Sequence, residues 1–445
     1  MPRLPLDHPY FDTPALSGKE RQHYIEEAKA ASRDTVRQAH AMELFPVYNE
    51  MSHPKTHRRL TLRVGQDFHN PRYMCLSGHT QVSATVEAVA DLYHLNAIQR
   101  SVDHVVGRNI LDRTTLYTLT HRQQNPESLL QYIAMNWMAI QMPSVIADRD
   151  FSFLECHDEF KDGLDQRRGF VRSIHSLKTA ACPPLEDKFG ITRGSFYRSG
   201  QVFIESAGNS TVLDMYYVVC IDLQGTVAHD VLHAVMVEMV EESLNVDEYF
   251  RAMSLSQYRL VNDAPSKAHS CASCESPFKS SLFMSAKRYL CRICGRTVCE
   301  ECCDLWDLHQ KKLVRVCALC VEQAKDHVIS KVSESMPMLT YVPGRDINSP
   351  MSVLTSQSDG SNRHSTPRSA TETDAIQQKI DQLLEHDSQR SKNREASKVI
   401  LFDASLHGGD LAKASNDKLK TLLKSRNDGS YNEDAIRQIE AALNN

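Results

Sequence analysis

The sequence predicts an α+β fold followed by a small cysteine-rich module, and three observations predict this. Segments rich in β-branched and aromatic residues, some alternating apolar with polar side chains, indicate antiparallel strands at 80–86, 131–141, 168–175, 194–206 and 211–222. A helix is predicted at 87–95, and a wide apolar face predicts one long closing helix from Thr226 to about Tyr249. Nine of the 13 cysteines fall between Cys271 and Cys320.

Composition limits the classes of function. The 445 residues suggest about two or three domains, and an apolar content of 41% suffices for a core. A net charge of −5 argues against a polycation that binds nucleic acid. The first 16 residues lack the apolar segment of a secretion signal, and the longest apolar run, 215–221, is too short to span a membrane. We therefore predict a cytoplasmic chain that meets membranes only peripherally.

Shifts in composition divide the chain into five predicted parts. They are a helical N-terminal extension (1–49), an α+β domain (50–255), the cysteine-rich module (264–325), a linker rich in Ser, Pro, Thr, Asp and Gly (333–372) and C-terminal helices (373–445). The linker composition cannot bury a core, which predicts disorder. Ile376, Ile380 and Leu383 share one face of the first C-terminal helix, which we expect to bind a protein partner.

Four CxxC pairs occupy the cysteine-rich module. They are Cys271/Cys274, Cys291/Cys294, Cys299/Cys302 and Cys317/Cys320, separated by 16, 4 and 14 residues. A CxxC turn places two thiolates where they can share one tetrahedral zinc, and two turns complete a closed four-sulfur site. Because the second and third pairs are so close in sequence, we predict an interleaved brace with pairs one and three on one zinc and pairs two and four on the other. Cys303 is interpreted as a bystander.

The spacing of the pairs is not the only pattern in this module. Phe278 follows Cys274 by four residues, a basic run precedes the second pair, CRxCG stands at 291–295 and RVC at 315–317. With these features the module resembles the FYVE finger, a family that binds phosphatidylinositol 3-phosphate on endosomal membranes. The resemblance implies two structural Zn²⁺ ions and a phosphoinositide partner.

Two of the three lipid-reading elements of that family are altered here. The stretch before Cys271, NDAPSKAHSC, lacks the family's WxxD, and the family's RRHHCR reads KRYLCR, with Tyr289 and Leu290 in place of both histidines. The residues that remain to bind lipid phosphate are Lys287, Arg288, Arg292 and Arg315. We expect weaker and less selective binding of anionic lipid than the family norm, with little pH dependence from histidine.

A membrane-inserting loop is also expected from the resemblance. Leu282, Phe283 and Met284 lie where the family dips a loop into the bilayer, although packing on the small core of the module is an alternative. Between 264 and 325 there are ten Lys and Arg against six Asp and Glu, and eight thiolates with two zinc ions bring the sum to about zero. Attraction to a membrane must therefore come from a one-sided distribution of charge.

Residues 50–255 resemble a START domain, the helix-grip lipid-binding fold. The resemblance rests on the strand order, the ADRDF string at 147–151, the strand pair ending at Asp222 and the closing helix from Thr226. A START-type domain coupled to a FYVE-type finger is similar to a protein group in oomycetes. The resemblance implies a curved antiparallel sheet around the last helix, with an apolar tunnel for one lipid. A filled core would give the same alternation of side chains.

Several polar residues invite an enzymatic interpretation. Arg149, Asp150, His157 and Asp158 are close in sequence, and His229 and His233 have the i, i+4 spacing of a metal pair. However, HDVLH lacks the Glu of HExxH, and the sequence has no phosphate loop or nucleophile elbow. We predict no catalytic residues, and Arg149 with Asp150 is interpreted as a salt bridge at a strand end.

Together these features favour a non-enzymatic, zinc-binding membrane adaptor. Its finger would contact anionic phosphoinositide membranes, including endosomes, and its START-like domain would bind a lipid. A RING-like ubiquitin ligase is an alternative, because RING domains also interleave zinc pairs and Trp306 falls between the last two pairs. A scaffold that binds only proteins is a third possibility.

Overall fold

The structure is a computed structural model that describes residues 4–7, 9–98, 109–126, 128–163, 165–261, 268–278, 287–308, 312–324 and 329. We call the described residues up to 261 the sheet domain, and those from 268 to 324 the finger. The predicted linker at 333–372, the C-terminal helices at 373–445 and the loop containing Leu282, Phe283 and Met284 lie outside the described residues.

One large sheet organises the sheet domain. Its strands are β1 (Val47–Ser52), β2 (Arg59–Gln66), β3 (Met74–Val82), β4 (Ile110–Thr120), β5 (Tyr132–Ile140), β6 (Arg149–Asp162), β7 (Arg167–Ser176), β8 (Thr192–Arg193), β9 (Ser195–Phe196), β10 (Ser199–Ser206) and β11 (Asn209–Asp222). The main path runs β1-β2-β3-β11-β10-β7-β6-β5-β4 and is antiparallel throughout. The short strand β8 pairs with β6 in parallel, and β9 pairs with β11.

Helices cover both faces of this sheet. They are α1 (Gly18–Met42), α2 (Val86–Ile98), α3 (Glu186–Phe189), α4 (His229–Glu241) and α5 (Ser243–Leu255). Residues of α2, α4 and α5 share the largest apolar cluster with the inner face of the sheet, whereas α1 packs on the outer face. A sheet gripping its last helices is the helix-grip arrangement that the resemblance implies, and the α+β class is confirmed.

Strand β11 shows why its sequence is apolar without interruption. Met215, Tyr217 and Val219 join the inner cluster, whereas Tyr216 and Val218 join the outer one beneath α1. A strand covered on both faces needs apolar residues at every position, because successive side chains point to opposite faces. The predicted strands at 131–141, 168–175 and 211–222 correspond to β5, β7 and β11.

Three predicted elements are wrong in their extent. The strand predicted at 80–86 ends at Val82, because Thr85 caps α2 through its hydroxyl, which accepts from the Ala88 N–H at 3.3 Å. The strand predicted at 194–206 is broken before β10, where Arg198 has a φ of 46° and pairs with the buried Asp67.

The closing helix is the third. The structure begins it at His229 rather than Thr226, divides it at Glu242 into α4 and α5, and extends it to Leu255. After the break the Ser243 hydroxyl donates to the Val240 carbonyl at 2.7 Å. No Pro or Gly stands at this position, so the sequence gives no local sign of the break.

The finger is built from short elements around its cysteines. They are β12 (Tyr289–Leu290), β13 (Thr297–Val298), the 3₁₀ turn η1 (Glu300–Cys302), β14 (Cys303–Leu308), β15 (Lys312–Cys317) and α6 (Ala318–Gln323). Strands β12 and β13 form one hairpin, and β14 and β15 form another. Their apolar side chains share a core with Ala252 and Leu255 of α5, so the end of the gripped helix pair is part of the finger's core.

Candidate functional site

The eight paired cysteines lie in two groups of four. The sulfurs of Cys271, Cys274, Cys299 and Cys302 form one group, and those of Cys291, Cys294, Cys317 and Cys320 form the other. Within each group all sulfur atoms lie within 4.8 Å of one another. This is the interleaved brace that the spacing predicts.

Distances between sulfurs test whether each group fits zinc. A Zn–S bond of about 2.3 Å and tetrahedral angles require sulfurs about 3.8 Å apart. The observed separations are 3.8 Å for Cys274 and Cys299, 3.8 Å for Cys291 and Cys320, and 3.9 Å for Cys294 and Cys317. The two groups therefore fit two Zn²⁺ ions, each in a closed four-sulfur site.

Local backbone geometry explains how the first two CxxC pairs, Cys271/Cys274 and Cys291/Cys294, form their turns. In the second pair Gly295 has a φ of 71° and donates its N–H to the Cys291 carbonyl at 2.9 Å. In the first pair Glu275 occupies the same position with a φ of 61°. Backbone N–H groups also point at sulfur: Cys299 N–H donates to Cys271 Sγ at 3.3 Å. Although burial alone would raise it, such N–H groups lower the pKa of the Cys271 thiol to about 6.

The ninth cysteine belongs to neither group. The buried Cys303 thiol donates to the Cys299 carbonyl at 3.2 Å, and Arg315 Nη1 donates to its sulfur at 3.7 Å. Burial raises its pKa, which favours the protonated thiol. Cys303 thus supports Arg315, a role that the sequence does not indicate.

Of the four basic residues expected to bind phosphate, Lys287 and Arg288 are exposed immediately before β12. Lys287 Nζ lies 3.6 Å from Glu300 Oε2, and the two side chains are 68% and 51% exposed. Arg288 Nε donates to the Ala268 carbonyl at 3.2 Å, and its guanidinium lies 5.1 Å from the centre of the Phe278 ring. The charged ends of both side chains therefore lie at the surface of the finger.

Arg315 lies beside them and is joined to Lys287 through two other side chains. Its guanidinium lies 3.7 Å from the centre of the Tyr289 ring, a cation–π contact. The Tyr289 hydroxyl donates to Glu300 Oε1 at 3.2 Å, and Glu300 also meets Lys287. Leu290, the second replacement, is buried in the finger's core. Tyr289 therefore orients an arginine, whereas Leu290 only packs.

The fourth basic residue, Arg292, faces the sheet domain. Its Nε donates to the Val261 carbonyl, and the Val261 N–H donates to the Arg292 carbonyl at 2.8 Å. The Arg292 N–H donates to the Arg315 carbonyl at 2.8 Å. Arg292 thus joins the finger to the last residue of the sheet domain through its guanidinium, and to the strand of Arg315 through its backbone.

Further contacts attach the finger to the sheet domain. Lys55 Nζ lies 2.5 Å from Glu248 of α5 and 5.6 Å from the centre of the buried Trp306 ring. Beyond the finger, Ile329 is buried in the inner apolar cluster of the sheet domain. The finger is therefore attached to the sheet domain at three places: at Val261 before it, through its shared core with α5, and at Ile329 after it.

Inside the sheet domain lies a cavity of about 60 Å³. Its wall includes Met138, Met142 and Met239, together with Arg172, Tyr217 and Glu242. A drug-sized ligand requires roughly 300–1,000 Å³. This cavity is thus too small for a lipid as it stands, and a lipid that entered it would have to displace some of the side chains in its wall. Methionine side chains adapt their shape more easily than branched ones.

A buried polar network lies in the same interior. Arg172 Nε donates to Glu155 Oε1 at 2.6 Å, Asn136 Nδ2 donates to Glu155 Oε2 at 2.8 Å, and His157 Nε2 lies 3.0 Å from Glu155 Oε1. Burial alone would raise the pKa of Glu155, but the Arg172 charge and the His157 hydrogen bond hold it well below its ordinary value. Burial lowers the pKa of His157, which keeps the ring neutral.

Two buried acceptor atoms of this network have no hydrogen-bond partner among the described residues. They are His157 Nδ1, when Nε2 carries the proton, and Asn136 Oδ1. Buried polar atoms are usually paired with protein or ordered water. This network therefore has the capacity to accept hydrogen bonds from a hydroxyl group or from water.

The residues considered for catalysis have other partners. The guanidinium of Arg149 donates to the Leu223 carbonyl, whereas Asp150 pairs with Arg193 at 2.8 Å. The predicted salt bridge between Arg149 and Asp150 is wrong, because neighbours on a strand point to opposite faces. Asp158 accepts from Ser128 and Gln131. Within the described residues, His229 and His233 are not part of a potential metal-binding group.

Two interleaved four-cysteine sites within one small module define a cross-brace zinc finger. Within that class, residues 262–326 match the family model of the FYVE zinc finger. The resemblance of the cysteine-rich module is therefore confirmed, together with its two zinc ions. The match favours this family over a RING, in agreement with the absence of histidine from both groups.

Solved structures similar to the sheet domain are lipid transfer domains at low sequence identity. Human StAR-related lipid transfer protein 5 is 14% identical, with 51% of this chain and 96% of that chain covered and a TM-score of 0.39. The human StarD13 (DLC2) lipid transfer and protein localization domain is 12% identical, with 53% and 97% covered and a TM-score of 0.32. A STAR-related lipid transfer protein fragment from Xanthomonas axonopodis is 10% identical, with 45% and 96% covered and a TM-score of 0.31.

No curated protein matches the chain. At these TM-scores the helix-grip assignment depends on the sheet order and helix packing described above. None of the described helices combines the length and apolar character needed to cross a membrane.

Proposed function

We propose that this chain is a non-enzymatic adaptor with two structural zinc ions. Its finger contacts phosphoinositide or other anionic lipid on the cytosolic face of membranes, endosomes included, and its sheet domain binds an apolar ligand. The proposed zinc ligands are the eight cysteines of the two groups. Zinc in closed four-sulfur sites stabilises the finger and offers no open position for a substrate.

The observation that carries this proposal is the clustering of three basic side chains on the finger. Lys287 and Arg288 are exposed, and Arg315 lies over Tyr289 next to them. Guanidinium and ammonium groups form charge-assisted hydrogen bonds with phosphate oxygens. We call Lys287, Arg288 and Arg315 the basic patch, and we assign it the contact with lipid phosphate. Arg292 bonds to Val261 through its side chain, and its backbone N–H donates to the carbonyl of Arg315, a member of the patch.

The same side chains limit discrimination between headgroups. Tyr289 uses its hydroxyl on Glu300 and its ring on Arg315, so it offers an inositol ring little of the hydrogen bonding that two histidines would. Leu290 is buried and offers none. Binding by the basic patch should therefore follow the charge of the membrane more than the position of a phosphate.

The ligand of the sheet domain should be apolar with one polar group. Its apolar part would push aside the methionine side chains that line the cavity of about 60 Å³. Its hydroxyl would donate to the unpaired acceptors His157 Nδ1 and Asn136 Oδ1. Mass spectrometry of lipids that co-purify with the chain should identify this ligand. A chain free of lipid after native purification would argue against a ligand in the sheet domain.

Loss of the exposed basic side chains should release the chain from anionic membranes. We expect Lys287→Ala/Arg288→Ala to lower the partition coefficient on phosphatidylserine-containing vesicles by about tenfold or more, because each cation near an anionic surface contributes about 1 kcal/mol. Co-sedimentation of the full chain measures the coefficient. The matched control, Lys19→Ala/Arg33→Ala, removes two exposed charges from α1. Equal losses in both variants would contradict the assignment to the finger.

A further inference from the structure

A carboxylate lies within the basic patch. Glu300 Oε2 lies 3.6 Å from Lys287 Nζ, and Glu300 Oε1 accepts from the Tyr289 hydroxyl at 3.2 Å. The ring of the same tyrosine carries the Arg315 guanidinium at 3.7 Å. One acidic side chain is therefore placed against two of the three members of the patch, directly or through Tyr289.

Glu300 lies in the turn that carries two of the proposed zinc ligands. It is the first residue of η1, between Cys299 and Cys302, whose sulfurs belong to the same group. The Glu300 carboxylate is thus held near the patch by a turn that two zinc ligands enclose.

This contact does not serve the stability of the finger. An ion pair with side chains 68% and 51% exposed contributes little to folding, because water solvates both partners in its absence. It does act on an arriving anion, because a phosphate that approaches Lys287 and Arg315 meets a negative charge already in place. A lipid phosphate must then displace the carboxylate from Lys287.

We propose that Glu300 is a built-in competitor of lipid phosphate, which lowers the affinity of the basic patch and sets the membrane charge at which the finger binds. This inference depends on the proposed membrane function of the finger and adds the residue that tunes it. The neighbouring Glu301 carries the same charge and is exposed, but it is not the residue that contacts Lys287 or Tyr289.

The test compares the wild-type full chain with Glu300→Gln and Glu301→Gln on vesicles of phosphatidylcholine and phosphatidylserine. We expect Glu300→Gln to raise the partition coefficient about fivefold, about 1 kcal/mol, because lipid phosphate then reaches Lys287 without displacing a carboxylate. Glu301→Gln should raise it less than about twofold, because it removes the same charge without removing a contact with Lys287 or Tyr289. Zinc content and the midpoint of thermal unfolding should be unchanged in both.

Equal increases in the two glutamine variants, or no increase in either, would overturn the role of Glu300. Failure of the proposed membrane function gives a different result, because wild type and Lys287→Ala/Arg288→Ala would then partition equally. A second comparison separates the contact from net charge: in a Lys287→Ala background, Glu300→Gln should lose most of its effect. A full effect in that background would also overturn the proposal.

Discussion

Replacing Cys302 by serine is expected to remove one zinc ion and unfold the half of the finger that it holds. Its sulfur belongs to the group with Cys271, Cys274 and Cys299, and a closed structural site depends on all four thiolates. Zinc binding contributes about 10–16 kcal/mol in small zinc-finger peptides, far more than the small apolar core of this finger can replace. Native mass spectrometry should find two zinc ions in wild type and one or none in Cys302→Ser.

Cys303→Ser is the matched control, because the residue is adjacent and outside both groups. This variant should keep two zinc ions, and it changes only the contacts of this side chain with the Cys299 carbonyl, Arg315 and the finger's core. Two zinc ions in Cys302→Ser together with one in Cys303→Ser would mean that the third pair of ligands is assigned incorrectly.

The second large effect is expected in the sheet domain. Glu155→Ala leaves the Arg172 guanidinium buried without its carboxylate, since Glu155 is 1% and Arg172 8% exposed. Removing one partner of a buried ion pair typically costs about 3–5 kcal/mol. Urea unfolding of the full chain should show a loss of this size in the transition of the sheet domain. Glu155→Met/Arg172→Met removes both charges and should recover much of it.

The same carboxylate predicts how stability responds to acid. The folded-state pKa of Glu155 lies below its ordinary value of 4.5. Its contribution to the free energy of unfolding is therefore full above pH 4.5 and falls as the pH decreases from there towards the folded-state pKa. Glu155→Ala should lack this part of the acid sensitivity. An unchanged stability in Glu155→Ala, or an equal acid response, would show that the pair does not stabilise the domain.

The cysteine-rich module could be predicted because its chemistry is local. A CxxC turn is defined by four adjacent residues, and the short spacing between Cys294 and Cys299 determines which pairs share an ion. Strands β5, β7 and β11 were likewise predictable, since burial on one or both faces leaves a pattern in the sequence.

Features that depend on tertiary contacts could not be predicted. Glu155 and Arg172 lie on neighbouring strands and meet only through the register of β6 and β7. The break at Glu242 has no Pro or Gly to mark it, and β1 has an exposed, weakly patterned sequence at the edge of the sheet. The interaction of Arg292 with Val261 requires the finger to pack on the sheet domain.

The helix pair α4–α5 connects the two proposed sites. Val235 and Met239 of α4 line the cavity, and Ala252 and Leu255 of α5 lie in the core of the finger. A ligand that moves α4 would therefore act on a helix that is followed directly by α5, which contributes to the core of the finger.

The central claim is that the finger binds membranes through charge, with little choice of headgroup. Its most direct measurement is co-sedimentation of the wild-type chain with vesicles that hold either phosphatidylinositol 3-phosphate or phosphatidylserine, at equal total charge. We predict similar partition coefficients on both and loss of both on Lys287→Ala/Arg288→Ala. A preference for the 3-phosphate of roughly tenfold or more, about 1.4 kcal/mol, or no sedimentation on either vesicle, would contradict the account.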